Sequence, residues 1–339
     1  MAFDASQFMS PTGGDYEITN SVRCETASDP ELERTFGTAT NRRKWTFSTW
    51  LKPNDAHAHD GNTILCTTHA QTNATSIQFG GPFATNTLRF NVQEWASDAV
   101  VFERITTALL RDESAWYHIV VAFDSTDGTA EDRLKIYING VRITSFVRNT
   151  AVPNNYQPYL NSAQATQLLT QEGRGQHYSG YMAETYFIDG QQLAPTSFGE
   201  FGDYGEWNPI EVTGMTYGDN GFYLDFKSSG VGTAGSGTIG ADRSGNDNHW
   251  TSAGLAVTDQ VVDSPTNNFC TLHTLNNATT LSEGNLKYTG ISSGVKNTFG
   301  TMRVSTGKWY FESLIANTTS SGNYYVGLTS ADTPPLSGA

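Results

Sequence analysis

Long apolar runs are missing from this chain of 339 residues, and so are most of the features that mark a membrane, secreted or nucleic-acid-binding protein. No stretch approaches the ~20 apolar residues that a bilayer-spanning helix requires. The opening, Met1-Ala-Phe-Asp-Ala-Ser-Gln7, has neither a basic nor an apolar region, so no signal peptide is expected. Cysteine is scarce: Cys24, Cys66 and Cys270 are an odd number with spacings that suit neither zinc nor a disulfide framework. Cys66 lies in the apolar run Ile64-Leu-Cys66 and reads as a small buried hydrophobe. Basic residues are also few. Twenty Lys and Arg against 34 Asp and Glu give a net charge of −14, the wrong sign for displacing counterions from phosphates. Nucleic acid is thereby excluded as a partner, and the acidity serves solubility. Synthesis in a cytoplasm is expected, and the Asn-x-Thr triplets at Asn73, Asn277 and Asn317 are expected to stay unmodified.

What the chain does have is glycine, 33 residues of it, and 12% aromatics with only 16% charged residues. That balance suits a β-rich protein with many tight turns. No segment keeps helical spacing for long, although residues 106–112 have room for one helical turn. Strand-length pieces recur instead: Trp45-Thr-Phe-Ser-Thr-Trp-Leu51, Trp116 to Phe123, Leu134 to Val141 and Tyr178 to Gly190. Asn139-Gly140 between Leu134–Ile138 and Val141–Thr144 predicts a type I′ hairpin, with Leu134, Ile136 and Ile138 on one face. His118, inside an apolar strand, reads as a satisfied core residue.

In content and order these four pieces resemble a laminin G-like, concanavalin A-like jelly-roll domain over residues 16–203. The resemblance implies an all-β sandwich whose usual business is binding. Residues 1–15 read as an arm that orders against a partner. Residues 204–277 contain a strand, Gly221-Phe-Tyr-Leu-Asp-Phe226, and a Gly/Ser-rich run, Ser228–Gly237, of linker composition. They read as a connector packed on its neighbours. Residues 278–339 turn β again. Lys308–Ile315 alternates, with Trp309, Phe311, Ser313 and Ile315 on one face. Gly307-Lys-Trp-Tyr-Phe-Glu312 and Tyr325-Val-Gly-Leu328 resemble the opening half of a SPRY domain, so a second sandwich that continues past Ala339, or is completed by a partner, is expected.

Catalysis is not expected. Retaining glycosidases of this fold class carry Glu-x-Asp-x-x-Glu on one strand, which sets two carboxylates ~5 Å apart. No Glu here has an Asp two positions on, and Glu184 and Asp189, five apart, fall on opposite strand faces. Glu184 stands where the resemblance implies a structural acidic residue. No cofactor is required by any motif. For metals, His57, His59 and Asp60 form a cluster without a firm fourth ligand and read as a solvated loop. Asp124 and Asp127 offer hard oxygens for a calcium ion, against the alternative of ordinary turn chemistry in Asp124-Ser-Thr-Asp-Gly128. For sugars, a flat ring covers the apolar face of the pyranose and amides read its hydroxyls. Trp95, Tyr156, Tyr159 and Tyr178, in or beside Asn- and Gln-rich sequence, are the candidate glycan-binding residues. The polar stretch 145–177 is read as the loop excursion that carries such a surface.

The whole series is similar to virion proteins of tailed bacteriophages, marine ones especially. The residues that carry this are Asn41 to Trp50, Ala115 to Val120, Gly180 to Gln191, Gly221 to Phe226 and Gly307 to Glu312. The resemblance implies a structural virion component, a tail fibre or appendage that contacts other virion proteins through its N-terminal arm and a host-surface glycan through its sandwich. A homotrimer is the expected state, because threefold fibres share a core and hide strand edges. Two other classes stay open: a capsid-surface decoration or cement protein that binds neighbouring virion subunits, and a glycan-degrading enzyme.

Overall fold

The computed structural model describes residues 16–54, 62–68, 73–79, 90–97, 99–171, 175–273, 280–289, 298–315 and 326–328. Among the described residues twenty strands form in chain order. The first ten are β1 (Ser21–Cys24), β2 (Glu31–Thr35), β3 (Lys44–Pro53), β4 (Asn62–Thr68), β5 (Ala74–Phe79), β6 (Phe90–Ala96), β7 (Ala99–Thr106), β8 (Tyr117–Asp124), β9 (Leu134–Ile138) and β10 (Val141–Arg142). The rest are β11 (Phe146–Thr150), β12 (Ala165–Leu168), β13 (Gly180–Asp189), β14 (Gly199–Phe201), β15 (Trp207–Pro209), β16 (Phe222–Leu224), β17 (Thr251–Ala253), β18 (Gln260–Val261), β19 (Thr280–Ser282) and β20 (Lys287–Thr289). The helical residues among those described are four three-residue 3-10 turns, so the protein is all-β. No helix among them is long and apolar enough to cross a membrane.

Two antiparallel sheets of eight strands face each other. The first runs β10-β9-β8-β3-β13-β1-β18, with β16 also paired to β13; the second runs β11-β7-β6-β5-β4-β12-β2-β17. This is the β-sandwich that the strand pattern predicts. Between the sheets, Trp45 stacks on Phe123 with centroids 4.9 Å apart, and Phe187 stacks on Phe222 at 5.8 Å. Trp250 meets Phe222 edge-on at 4.9 Å and Phe36 at 6.0 Å. Phe222 and Trp250 come from far along the chain, yet they close one end of the same core.

The chain after residue 203 adds β16 and β18 to the first sheet and β17 to the second. Tyr223 pairs with Tyr186, and Ser252 pairs with Leu32. The Ser228–Gly237 run, linker-like by composition, closes on itself: Gly230 N donates to Gly237 O at 3.2 Å and Ile239 N to Gly230 O at 2.6 Å. Its return delivers Ile239 into the core. A short polar loop then brings the chain back to Trp250. There Asp242 accepts from the backbone of Tyr223, Ser244 and Asn248.

The hairpin at Asn139-Gly140 forms as its residues require. Both have positive φ, 48° and 76°, and Val141 pairs with Ile138. A side chain at Gly140 would also collide with the Trp207 ring, so the turn needs glycine twice over. Two expectations fail. Residues 106–112 form no helical turn, because Thr107 N is taken by Ser145 O and Asp112 N by the Tyr117 hydroxyl. Lys308–Ile315 forms no strand despite its alternation; its rings lie exposed, with no facing strand among the described residues. Alternation needs a partner to become a strand.

The first sheet is covered on its outer face as well. His118 lies there fully buried, stacked between Trp50 (4.8 Å) and Trp207 (5.9 Å). Trp207 Nε1 donates to His118 Nδ1 at 2.9 Å, so Nδ1 is an acceptor and Nε2 carries the proton toward Ser48 Oγ at 2.8 Å. Burial holds the ring neutral by pulling its pKa down to about 3. His118 is the satisfied core histidine that its apolar strand implies.

At Glu184 the β13 strand bulges: its pairing with β3 shifts register between Ala183 and Tyr186, and Glu184 sits at φ 45°, a left-handed conformation rare for this residue type. Its buried carboxylate accepts from three tyrosines, Tyr16 (3.0 Å), Tyr223 (2.8 Å) and Tyr186. Burial pushes its pKa up, and the three phenols oppose that shift. Glu184→Ala would strand these hydroxyls, at a loss of roughly 2–4 kcal/mol, whereas Tyr223→Phe should cost only about 1 kcal/mol. Chemical denaturation checks both; equal losses would show that the carboxylate is not the hub.

Candidate functional site

Strand alternation sorts the second sheet into two faces. Ile77, Phe79 and Val92 point into the core, so Ser76, Gln78, Asn91, Gln93 and Trp95 take the outer face. Register then aligns a single cross-strand row of outer residues: Glu103, Gln93, Ser76, Cys66, Gln167 and Glu33, on six neighbouring strands. The middle of that row is uncharged. At one end Arg148 neutralises Glu103 (3.2 Å), and at the other Gln167 Nε2 bridges Glu31 Oε1 (3.0 Å) and Glu33 Oε2 (3.1 Å). Cys66 is buried, as its apolar run implies, with its thiol 3.4 Å from the Thr68 hydroxyl.

Amide and hydroxyl groups on this face have hydrogen-bonding capacity left over. Thr63 Oγ1, both amide atoms of Gln78 and Gln93 Oε1 are buried without a hydrogen-bond partner among the described residues. Thr63 pairs with Gln78 across β4 and β5, and Gln93 lies on the adjacent strand. Buried polar atoms are paired in the great majority of cases, so a group of them on one sheet face is a chemical signal. Trp95 stands on the same face, two residues from Gln93, half-buried. This supplies the aromatic-plus-amide combination that suits a sugar ring and its hydroxyls.

The tyrosines expected beside Trp95 are elsewhere. Tyr156 and Tyr159 meet on the inward side of β6, at Glu94. The Tyr156 hydroxyl and Tyr159 N donate to Glu94 Oε1 at 3.1 and 3.0 Å, and the Thr75 hydroxyl donates to its other oxygen. Tyr156 packs edge-on against Phe102. Tyr178 is a correction: it is fully enclosed, stacked on Phe79 with its hydroxyl bonded to Tyr181 O at 3.1 Å, and presents nothing to a ligand. Its flanking residues are polar, but a ring in the core and a ring in a loop give the same local sequence.

Asp124 and Asp127 are both engaged in turn chemistry. Asp124 pairs with Lys44 at 2.8 Å and accepts from Thr126 N at 2.9 Å, while Asp127 Oδ1 accepts from Thr129 N at 2.8 Å. The hydrogen bonds and Lys44 hold Asp124 below its ordinary pKa, although burial, the largest single influence, pushes the other way. No group of three or more His, Cys, Asp or Glu able to hold a metal occurs among the described residues. His57, His59 and Asp60 lie outside them. Asp189 is structural, accepting from Thr40 N (2.7 Å), Asn41 N (3.0 Å) and Asn161 Nδ2 (2.6 Å).

Residues 28–192 match the concanavalin A-like lectin/glucanases superfamily, as its Laminin_G_3 family. Among curated proteins no sequence match is found. Solved structures of similar shape include the heptameric SAP-like pentraxin of Limulus polyphemus, at 15% identity and TM-score 0.35, covering 53% of this chain and 80% of the pentraxin. The LG4-5 domains of mouse laminin α1 align at 12% identity and TM-score 0.33, covering 55% of this chain and 46% of that one. The CBM40 domain of the Ruminococcus gnavus IT-sialidase, solved with α2,3-sialyllactose, aligns at 13% identity and TM-score 0.30, over 41% of this chain and 74% of that domain.

Glu94 gives the site region a pH signature. Burial raises its pKa from 4.5 to about 7 against the pull of its hydrogen bonds. Between those values the folded protein holds a proton that the unfolded chain has released, so stability is highest at low pH and falls as pH rises toward 7. The swing is roughly 3 kcal/mol at most. Glu94→Gln should flatten the difference between unfolding curves taken across this window; an unchanged slope would place the titration on another group.

Proposed function

We propose that this protein is a non-catalytic, glycan-binding β-sandwich whose binding surface is the outer face of the second sheet. The observation that carries the reading is the cluster of unpaired polar atoms at Thr63, Gln78 and Gln93 beside Trp95. These atoms are buried, so a ligand reaches them only where the face opens; once there, amides without partners among the described residues can take up sugar hydroxyls, and the half-buried indole can cover the ring's apolar face. The family matched over residues 28–192 joins lectins with glucanases, which supports a carbohydrate as the ligand class. Binding is favoured over cleavage by the row's chemistry. Glu103 is spent on Arg148, and the middle of the face is amide and hydroxyl, without a carboxylate to act as acid or nucleophile.

The finer reading is a virion appendage, a tail fibre or similar, that carries this face to a host-surface glycan. Its support is the run of motifs at 41–50, 115–120, 180–191, 221–226 and 307–312. The arm, residues 1–15, lies outside the described residues. On this reading the arm seats the protein among other virion proteins and the chain trimerises; light scattering that returns a monodisperse monomer would count against the trimer.

The binding test is a glycan array followed by titration calorimetry with the best-bound oligosaccharide. Gln93→Ala and Trp95→Ala should each weaken binding about tenfold, the equivalent of about 1.4 kcal/mol. Tyr178→Phe should leave affinity unchanged. Absence of binding across neutral and acidic glycans, or affinity indifferent to Gln93, would reject the face as the site. Release of reducing sugar from the bound polysaccharide would move the protein to the enzyme class.

A further inference from the structure

The densest reactive chemistry outside that face lies on the other sheet, where β3 ends. Lys52 is fully buried there. Its Nζ lies 2.8 Å from each of three oxygens: Asp263 Oδ2, Asn268 Oδ1 and the Phe269 carbonyl. The Tyr181 ring stands 5.4 Å away. Each partner is itself fixed. Asp263 Oδ1 accepts from Trp116 Nε1 (3.1 Å) and Phe269 N (3.4 Å), and Asn268 Nδ2 donates to Ser114 O (2.7 Å). A primary amine, a carboxamide and a carboxyl group are thus held together beside Trp116 and Tyr181.

An ion pair in such a place carries a large desolvation cost, and the alternative is to move the proton from the amine to the acid. Burial acts on both groups in that direction, lowering the pKa of Lys52 and raising that of Asp263, while their mutual attraction opposes it. An uncharged lysine amine is a nucleophile, and one fixed against a carboxamide has a very high effective concentration there.

We propose that Lys52 and Asn268 condense into an intramolecular isopeptide bond, with Asp263 as the acid that promotes the reaction. The Lys52 Nζ lone pair attacks Asn268 Cγ, the carbonyl electrons move to Oδ1, and Asp263 donates its proton there. In the collapse of the tetrahedral intermediate Nδ2 takes up a proton shed by Nζ through the Asp263 carboxylate, the Cγ–Nδ2 bond breaks, ammonia leaves, and the Oδ1 hydroxyl proton returns to Asp263 as the carbonyl re-forms. Nothing is oxidised or reduced, and Asp263 ends as it began. The product is a secondary amide that joins residues 216 positions apart, and it rivets the segment after β18 to the end of β3. A neutral amide in the same pocket removes the buried charge pair altogether.

Intact mass of the purified full chain under denaturing conditions tests this directly. The wild type should be lighter than its sequence mass by one ammonia. Proteolysis should yield one branched peptide that contains both Lys52 and Asn268. Lys52→Arg, which keeps the charge but not the primary amine, should return the full sequence mass and migrate more slowly on a denaturing gel. Asp263→Asn should do the same if it folds; the Lys52→Arg comparison decides the matter if it does not. A wild type at full sequence mass after prolonged incubation overturns the proposal. Ammonia loss without the branched peptide also overturns it, because cyclisation of an asparagine to a succinimide gives the same mass change.

Discussion

The first sheet depends on one irregularity, the left-handed turn of the backbone at Glu184 in the middle of its central strand. β13 must pair with β3 along one edge, while along the other it serves two strands in succession. β1 takes residues 180–182, and β16 takes residues 185–187. The bulge falls between those two partners. A backbone held at positive φ persists only where its surroundings over-determine it. Here three phenols, from the start of the described chain, from the strand itself and from β16, all converge on the Glu184 carboxylate. The residue that the sequence places as a structural acid is therefore the joint between the jelly roll and the chain that follows it.

Around that joint the first sheet is covered on both faces. The first sheet has core on one side and a second layer on the other, made by Phe198, Trp207, Val212 and Met215 and by the segment around Asp263. Every residue of β13 is buried as a result. The second sheet has its inner face in the same core, but the outer face is built from amides and hydroxyls whose bonding capacity is not exhausted among the described residues. That outer face is buried too, and what sets it apart from the first sheet is that amides and hydroxyls line it where aromatic rings line the other.

Legibility in the sequence followed the range of the interactions. Asn139-Gly140 was readable because a type I′ turn is decided by two adjacent residues. His118 was readable because its neighbours on the strand are apolar. The row from Glu103 to Glu33 was not, since six residues scattered over about 130 positions align only once the register of five strand pairs is set. Trp95 and Tyr178 were chosen by the same rule of residue type, yet Trp95 lies half-buried on the outer face of the second sheet and Tyr178 lies in the core. Glu94, which gathers Tyr156 and Tyr159, left no local signal at all. Nor did Lys308–Ile315 reveal that its alternation would find no facing strand among the described residues.

Burial without alternation has the same origin. A strand packed on both faces has no polar side to show, so Trp45–Leu51 and Tyr181–Ile188 read as nearly continuous apolar or small-residue runs even though their sheet is antiparallel. Lys52, a fully buried cation directly after the first of these runs, has to be reconciled with its surroundings. Full hydrogen bonding by Asp263, Asn268 and Phe269 reconciles it geometrically. The same three contacts hold the cover segment to β3, so the fate of that amine also governs how firmly the outer layer stays closed. A cover that cannot lift keeps the outer face of the first sheet closed.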